Sequence, residues 1–538
     1  MKYLLLTLMI MTGLMAFSQK NYEVEWKRVD SLYSLGQAQT ALKSVESIYL
    51  ETKLEGNTSQ FLKASLYRLS LMSRFEEDIL VKSIESVQEE LKEANPAVNN
   101  IQHSILAELY WRYYQNNRYR FYDRTVTRNF DPSDILTWDL ERIVQQCILH
   151  YSLSLKNEFF TQSIRLSDYE PILISYPETR RLRPTLFDFL AYRAFEFYLN
   201  TEAGLTQPAD KFLIDKADYF SEAVIFNKLT ITSADTLSFD LKALQILQSI
   251  IRFHQADPNP EAFIEADLKR LSFVHNNAVI PEKDSLYYSA LSNLASVYKE
   301  HSSSAEVIYY MAQHLVNTGN GYEPFKSEKH RWDLKEALKL TEDAIKRFPE
   351  SFGAYNCSAL EEQIRRKSHE ITCEYAALPD KPALALLTYK NTGEIHFRLI
   401  KADPSDERDI NENGTSGLIA SYLQKKADLE WKQGLPDDGD YQQHMVEIRL
   451  PALKPGYYVL LASASAEFTN DNQVSLNRFW RTRISYIDRR NDNGSYELFV
   501  LDRQEGKAIP KVKVQSFFRE YDYKTRTYES KPGEILYS

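Results

Sequence analysis

Long apolar runs are missing from all but the first residues of this 538-residue chain. Beyond "MKYLLLTLMIMTGLMAFSQ" no segment approaches the roughly 18 apolar residues of a membrane-crossing helix, so no span is expected after the N-terminus. The N-terminal stretch itself runs only from Tyr3 to Phe17, with Lys2 ahead of it and the small residues Ala16 and Ser18 before Gln19. That pattern reads as a secretory signal peptide over residues 1–18 and makes the mature chain an exported one without a transmembrane segment. No cysteine follows the stretch, which argues against a bacterial lipoprotein anchor.

Cysteine is also scarce, with three in the whole chain, so no disulfide framework is expected. Cys357 and Cys373 are the one candidate bridge, left open against two free thiols, and Cys147 falls on an apolar helical face in "ERIVQQCILHYSL". Nor is there an excess of basic charge: 65 Lys and Arg stand against 75 Asp and Glu, a net −10 that gives no ground for nucleic-acid binding. The short basic runs "RRLRP" and "RRK" read as solvated helix ends or ion-pair partners.

Catalytic signatures are missing as well. His369-Glu370 in "KSHEIT" has no second histidine at zinc-binding spacing, and His396 in "EIHFRL" reads as a half-exposed strand residue. His103, His150, His254, His275, His301, His314 and His330 form no metal-ligand spacing. No Gly-x-Ser-x-Gly elbow, phosphate-binding loop or dinucleotide fingerprint occurs. The acidic clusters "FEEDIL" and "DERD" lack the defined separation that acid and base carboxyls require, and lack a full calcium ligand pattern. No enzymatic activity, catalytic residue, metal or cofactor is expected.

What is present divides into two periods. From residue 19 to 377 apolar residues recur at three- and four-residue spacing, as in "TSQFLKASLYRLSLMSR", "SILAELYWRYYQNNRYRFYDR", "TLFDFLAYRAFEFYLN", "FDLKALQILQSIIRFHQ" and "LYYSALSNLASVYKEH". Asp131, Pro132 and Ser133 are suitable start chemistry for the helix reading through "DILTWDLERIVQQCILHYSLSL". In "WDLKEALKLTEDAIKRFPESFGAYNCSALEEQI", Ala337 and Ala344 allow close helix approach and Phe348-Pro349 ends the first helix. This resembles a tetratricopeptide unit, with such pairs near 285–365 in an otherwise irregular helical-repeat array. The tyrosines fall mostly on these helical faces and read as core packing.

The period changes at "LPDKP", so a β-domain is expected over residues 378–490. "ALALLTYKNTGEIHFRLIKADP" reads as strand, Asn-Thr-Gly turn and strand, and a polar, partly helical insert follows at 405–443. Lys454-Pro455-Gly456 marks a turn before the buried strand "YYVLLASA", and "RFWRTRISYIDRR" reads as one further strand. Short strands so spaced predict an antiparallel β-sandwich. Residues 491–538 repeat the pattern: "YELFVLD", the turn "RQEGKAIP" and the strand "KVKVQSFF" read as the opening hairpin of a second, truncated domain, with "REYDYKTRTYES" as material for another hairpin.

The β-region resembles the N-terminal macroglobulin-type domains of large bacterial alpha-2-macroglobulin-family proteins. The resemblance rests on Tyr389-Lys390-Asn391 at a strand turn, on Lys454-Pro455-Gly456 before a buried strand, and most of all on Asp502-Arg503 with Gly506-Lys507 and Pro510. The helical part is similar to the N-terminal extension of the Bacteroidetes-type versions through "LAELYWRYYQNNRYRFYDRT", "RRLRPTLFDFLAYRAFEFY" and "NCSALEEQIRRKSHEITCEYAALPDKP". It implies an exported protease inhibitor of the periplasm or cell surface of a Gram-negative bacterium, whose partners are target proteases. In that family, cleavage of a bait segment triggers a rearrangement and, in many members, a thioester attaches to the protease. Neither motif occurs in these 538 residues, so the chain is expected to be the scaffold region of such an inhibitor. The competing expectation is an exported helical-repeat and β-sandwich module that docks an envelope protein.

Overall fold

The computed structural model describes residues 22–75, 78–91, 95–122, 134–174, 177–200, 210–404, 414–469, 473–492, 494–523 and 526–538. The signal-peptide segment, Asp131–Ser133, "DERD" and Glu76-Glu77 of "FEEDIL" lie outside these residues. A stack of helices is followed by several β-sheets, an α plus β multidomain architecture, and the chain forms two compact units, Met1–Val297 and Tyr298–Ser538.

The first unit is helical. Its long helices are α1 (Glu23–Ser34), α2 (Ala38–Glu55), α3 (Thr58–Met72), α4 (Ile79–Leu91), α5 (Pro96–Asn116), α6 (Leu140–Ser154), α7 (Leu186–Tyr198), α8 (Phe239–His254), α9 (Glu261–Asn277) and α10 (Lys283–Val297). Their starts follow from local chemistry. Asn57, Asn95 and Ser238 accept hydrogen bonds from the third following amides of α3, α5 and α8. Thr185 and Asp188 form a reciprocal capping box on α7. The helix expected to follow Asp131–Ser133 begins later, at Leu140, because Asp139 caps it by accepting from the Arg142 amide at 2.9 Å.

The second unit opens with three mutually packed helices, α11 (Ser304–Gly319), α12 (Asp333–Arg347) and α13 (Phe352–Arg365). Ala337 and Ala344 are fully buried in α12, and Phe348 ends it as the sequence pattern requires. At Gly353 a β-carbon would lie 2.2 Å from the Glu306 backbone nitrogen, so only glycine lets α13 approach α11 this closely.

Among the described residues twelve strands follow: β1 (Ser368–Cys373), β2 (Ala376–Ala377), β3 (Ala383–Lys390), β4 (Glu394–Ala402), β5 (Leu429–Gly434), β6 (His444–Leu450), β7 (Gly456–Ser463), β8 (Val474–Arg481), β9 (Ile484–Arg490), β10 (Tyr496–Asp502), β11 (Lys513–Asp522) and β12 (Thr527–Tyr537). A three-stranded sheet, β1-β3-β6, faces a five-stranded sheet, β2-β8-β7-β4-β5, across a core that includes Ile371, Leu387, Phe397, Leu399, Ile448, Leu460 and Phe479. Helix α14 (Gly414–Leu423) covers the other face of the larger sheet, packing Leu418 and Tyr422 on Ile400, Val459 and Leu461. Strand β7 is therefore buried on both faces, which explains its continuous apolar run.

Several boundaries differ from the sequence reading. The helical array expected over 19–377 is divided between the two units at Val297, and β1 and β2 already belong to the sandwich before residue 378. The strands around the Asn-Thr-Gly turn do not pair with each other: β3 and β4 lie in opposite sheets, so the turn carries the chain across the core. The partly helical insert contributes α14 and also the strand β5, which pairs with β4. The single strand expected over 478–490 breaks at Thr482, whose Oγ1 accepts from the Ile484 amide at 2.9 Å, and its second half leaves the sandwich as β9. There β9 pairs with β10, while β11 pairs with β12. The expected pairing of "YELFVLD" with "KVKVQSFF" is thus replaced by two separate two-stranded ribbons.

Candidate functional site

The turn residues singled out in the sequence fall into two groups at different ends of β3. At one end Tyr389, Lys390 and Asn391 join the helices to the sandwich. Asn391 is left-handed (φ 53°), a conformation its short amide side chain tolerates, and its Nδ2 donates to the carbonyls of Ile364 (2.7 Å) and Arg366 (3.1 Å). Those carbonyls are unpaired orphans of the α13 C-terminus, so the turn caps the helix. The buried Tyr389 donates its hydroxyl to the Pro436 carbonyl at 2.8 Å, and burial lowers the pKa of the Lys390 amine.

The same joint holds a cluster that linear spacing did not reveal. Arg331 donates to Asp438 (2.6 Å) and Asp440 (3.1 Å), while Asp440 also accepts from the Gln442 amide (3.0 Å) and bonds His444 (2.9 Å). Burial alone would raise the Asp440 carboxyl, but the Gln442 amide, His444 and Arg331 overcome it and hold it below its ordinary range. Asp438, Asp440 and His444 are close enough to share a metal ion. Arg331 already supplies the positive charge there, so the arrangement works as a clamp between the helix connection and the β6 approach.

At the other end of β3, Lys454 pairs with Asp380 (2.9 Å), and Tyr458 donates to the Lys454 carbonyl (3.0 Å). Lys381 beside it donates to Gln504 (3.4 Å), which brings the Lys454-Pro455-Gly456 turn close to the Asp502–Lys507 turn. Asp502 organises that second turn: its Oδ1 accepts from the amides of Gln504 and Glu505, each at 2.9 Å, and its Oδ2 from Arg483. The Glu505 amide, then the Gln504 amide and Arg483, keep its carboxyl below the usual range against burial. Gly506 takes the left-handed conformation (φ 68°), and the Asp502 amide closes the turn on the Lys507 carbonyl at 2.7 Å. Arg503 donates through its amide to the Arg483 carbonyl, tying the turn to the start of β9. Ala508 bridges Leu501 before Pro510 and Lys511 lead to β11.

The ribbons that leave this turn are uncovered. Leu498 (42 % exposed) and Phe499 (51 %) point to opposite faces of β10, so both faces carry exposed apolar side chains although Val500 is buried, and Phe518 and Leu536 are more than half exposed on the other ribbon. Tyr486 and Tyr496 are exposed on the β9-β10 ribbon, and Tyr528 and Tyr537 on the β11-β12 ribbon.

The bridge considered between Cys357 and Cys373 is not formed, and all three cysteines are free thiols. Cys357 is buried in α13 with its Sγ toward the Ala305 carbonyl (3.9 Å), whereas Cys373 ends β1 at the sandwich core. Burial pushes each of these two thiols up to about 12. Cys147 is fully buried against the Ala107 carbonyl, as its apolar surroundings imply. Near Cys373, Arg481 is 1 % exposed, and its guanidinium meets no hydrogen-bond acceptor among the described residues.

The fold also brings together histidines that sequence left scattered. His254 lies between Asp188 (2.8 Å) and Asp257 (2.6 Å), with both ring nitrogens engaged. Burial would lower its pKa, but the two carboxylates reverse the effect and raise it. With neither nitrogen left to accept a proton from a substrate, this set clamps α7 to α8 rather than acting as a base. His103 and His150 stack with Nδ1 atoms 2.9 Å apart, and burial followed by the neighbouring ring lowers His150 to about 4. His369 is on β1, bonded to the Ala462 carbonyl at 3.0 Å, and His396 pairs with Glu394 at 3.1 Å. The His254-x-x-Asp257 spacing and the Glu394-x-His396 alternation on one strand face could have signalled those two contacts in advance.

Among the described residues no helix is long and apolar enough to cross a membrane. No family model matches the chain, and no curated protein matches it. Among solved structures it is similar to native alpha-2-macroglobulin from Escherichia coli spanning domains MG0-NIE-MG1, at 13 % identity over 31 % of this chain and a TM-score of 0.20. The match covers 57 % of that chain's length.

Proposed function

We propose that this chain is the scaffold region of an exported alpha-2-macroglobulin-like protease inhibitor, with bait and any thioester outside these 538 residues. The observation that carries the reading is the order of β-modules: a closed three-on-five sandwich, a turn fixed by Asp502, and then two ribbons with uncovered apolar faces. A two-stranded ribbon with both faces exposed is marginally stable alone, so these ribbons suit a surface that a further strand layer or a helix covers. Consecutive sandwiches joined by such a turn are what the Asp502-Arg503, Gly506-Lys507 and Pro510 resemblance implies. In this reading the chain contributes position and contact surface, performs no chemistry and holds no cofactor. Its partner is a target protease in the envelope of a Gram-negative cell.

The test is to express the complete open reading frame that contains this chain, incubate the product with a panel of endoproteases, and assay a large protein substrate beside a small chromogenic peptide. Trapping predicts loss of cleavage of the large substrate with the small one still hydrolysed. Equal cleavage of both, with and without the protein, would overturn the reading.

A second reading, docking to an envelope protein through the helices, is favoured by the stacked and exposed Phe352 and Tyr355 at the start of α13. Recovery of a partner that is lost on Tyr355→Ala, together with no effect on any protease, would select it.

A further inference from the structure

The smaller sheet of the sandwich has one open edge. Strand β1 lies over β7 and β8, where His369 bonds the Ala462 carbonyl and the Asn477 Nδ2 donates to the Ile371 carbonyl at 3.2 Å. That leaves β6, whose neighbour in the sheet is β3 alone. The Asp380 amide bonds the Leu453 carbonyl at 2.7 Å, in the register that sets Ala383 opposite Leu450. Bonded pairs alternate along an antiparallel ladder, so Glu447 and Arg449 bond β3 through their main chain, and the N–H and C=O groups of Val446, Ile448 and Leu450 turn outward. Among the described residues these outward groups meet no other backbone. The larger sheet projects past this edge. Leu429, Trp431 and Gln433 of β5 stand opposite Leu399, Phe397 and Ile395, which are buried in the core, so all three face inward. Yet Leu429 is 41 % exposed, Gln433 is exposed, and Trp431, stacked on Phe397, is half-buried. The three-stranded sheet therefore does not cover β5, and the edge of β6 with the inner face of β5 forms a ledge.

We propose that this ledge takes an extended segment of a partner protein as a fourth, antiparallel strand of the smaller sheet, with the sequence pattern apolar-acidic-apolar-basic-apolar. The outward groups of Val446, Ile448 and Leu450 supply the ladder bonds. Glu447 and Arg449 point to the solvent face, are exposed, and have no ion-pair partner among the described residues. Running antiparallel, the segment meets Arg449 before Glu447, so its acidic residue precedes its basic one and each faces an opposite charge. Its three apolar residues stand opposite Leu450, Ile448 and Val446 and turn inward over Leu429 and Trp431. Strand β6 itself carries this alternation, from Val446 to Leu450. A second copy does not fit, because its own β5 projects past its β6, about 10 Å beneath, and meets the first β5. The site is independent of protease trapping.

Isothermal titration of the full chain with acetyl-Thr-Val-Glu-Val-Lys-Val-Thr-amide tests this directly. The peptide should bind with a Kd of about 100 μM or tighter and shift tryptophan emission to shorter wavelength, a shift absent in Trp431→Phe. Exchanging its glutamate and lysine should weaken binding about fivefold or more, and Glu447→Arg combined with Arg449→Glu should reverse the preference. Both side chains are exposed, so the double variant should keep the parent melting temperature. N-methylation at the central valine should abolish binding, since that amide bonds Ile448. N-methylation at the lysine, whose amide points away from β6, should be tolerated. Failure of the parent peptide to bind, equal affinity for the exchanged peptide, or equal loss at both methylated positions would overturn the assignment. So would a dimer of the chain that Glu447→Arg alone dissociates, since the edge would then belong to a second copy.

Discussion

The closed sandwich and the two ribbons after it are built from strands of comparable apolar content, yet one is packed and the other is largely bare. In β7 the residues from Tyr457 to Ser463 are all buried, between the smaller sheet on one side and α14 on the other. In β10, with the same length class and comparable apolar content, only Val500 is buried. A strand's own residues therefore specify that it is a strand, but the layers around it decide whether it contributes stability.

The difference is largest in the expected cost of truncation. Leu460→Ala, at a fully buried β7 position, should cost about 2–5 kcal/mol in urea unfolding followed by a sandwich probe such as Trp431 fluorescence. The same change at Leu498 on β10 should cost about 0.5 kcal/mol or less. Equal costs would erase the distinction.

A second test sharpens what holds the closed module. The Arg481 guanidinium is buried without an acceptor, and burial lowers its pKa. Arg481→Met should therefore raise the sandwich's stability by about 1 kcal/mol or more, which a thermal melt will show as a higher Tm. A fall of similar size would mean that the charge is satisfied.

Acid provides a third comparison. Burial lowers the pKa of His369 on β1, although its bond to the Ala462 carbonyl opposes this. A depressed histidine contributes stability that is full above the unfolded pKa of about 6.5 and is lost as pH falls from there toward the folded value. The sandwich should weaken over that window, and His369→Gln should flatten the response. The ribbons contain no histidine between Ile484 and Tyr537 and should not share it.

How much of this was legible in the sequence follows the same division. The helices of the first unit and the Ala337–Ala344 pair could be read because one-face burial leaves a local period. The buried run of β7 was legible because burial on both faces leaves an unbroken apolar stretch, and the Lys454-Pro455-Gly456 turn because proline and glycine mark turns. Pairing was not legible. That β3 and β4 lie in opposite sheets, that β5 comes from the polar insert, and that β9 abandons β8 for β10 depend on contacts between distant residues. The Arg331 clamp and the Asp188–His254–Asp257 set escaped for that reason too, since Arg331 and Asp440 lie 109 positions apart and Asp188 and His254 lie 66 apart. The Cys357–Cys373 spacing allowed a loop to close but carried no information on direction, and the two thiols belong to different elements.

Amide hydrogen exchange on residues 19–538 is the most direct test of the contrast between closed sandwich and uncovered ribbons. Amides of β4 and β7 should exchange only through global opening of the sandwich, whereas those of β10 and β12 should exchange orders of magnitude faster. Protection in β10 and β12 equal to that in β7 would show the ribbons already packed and would contradict the account.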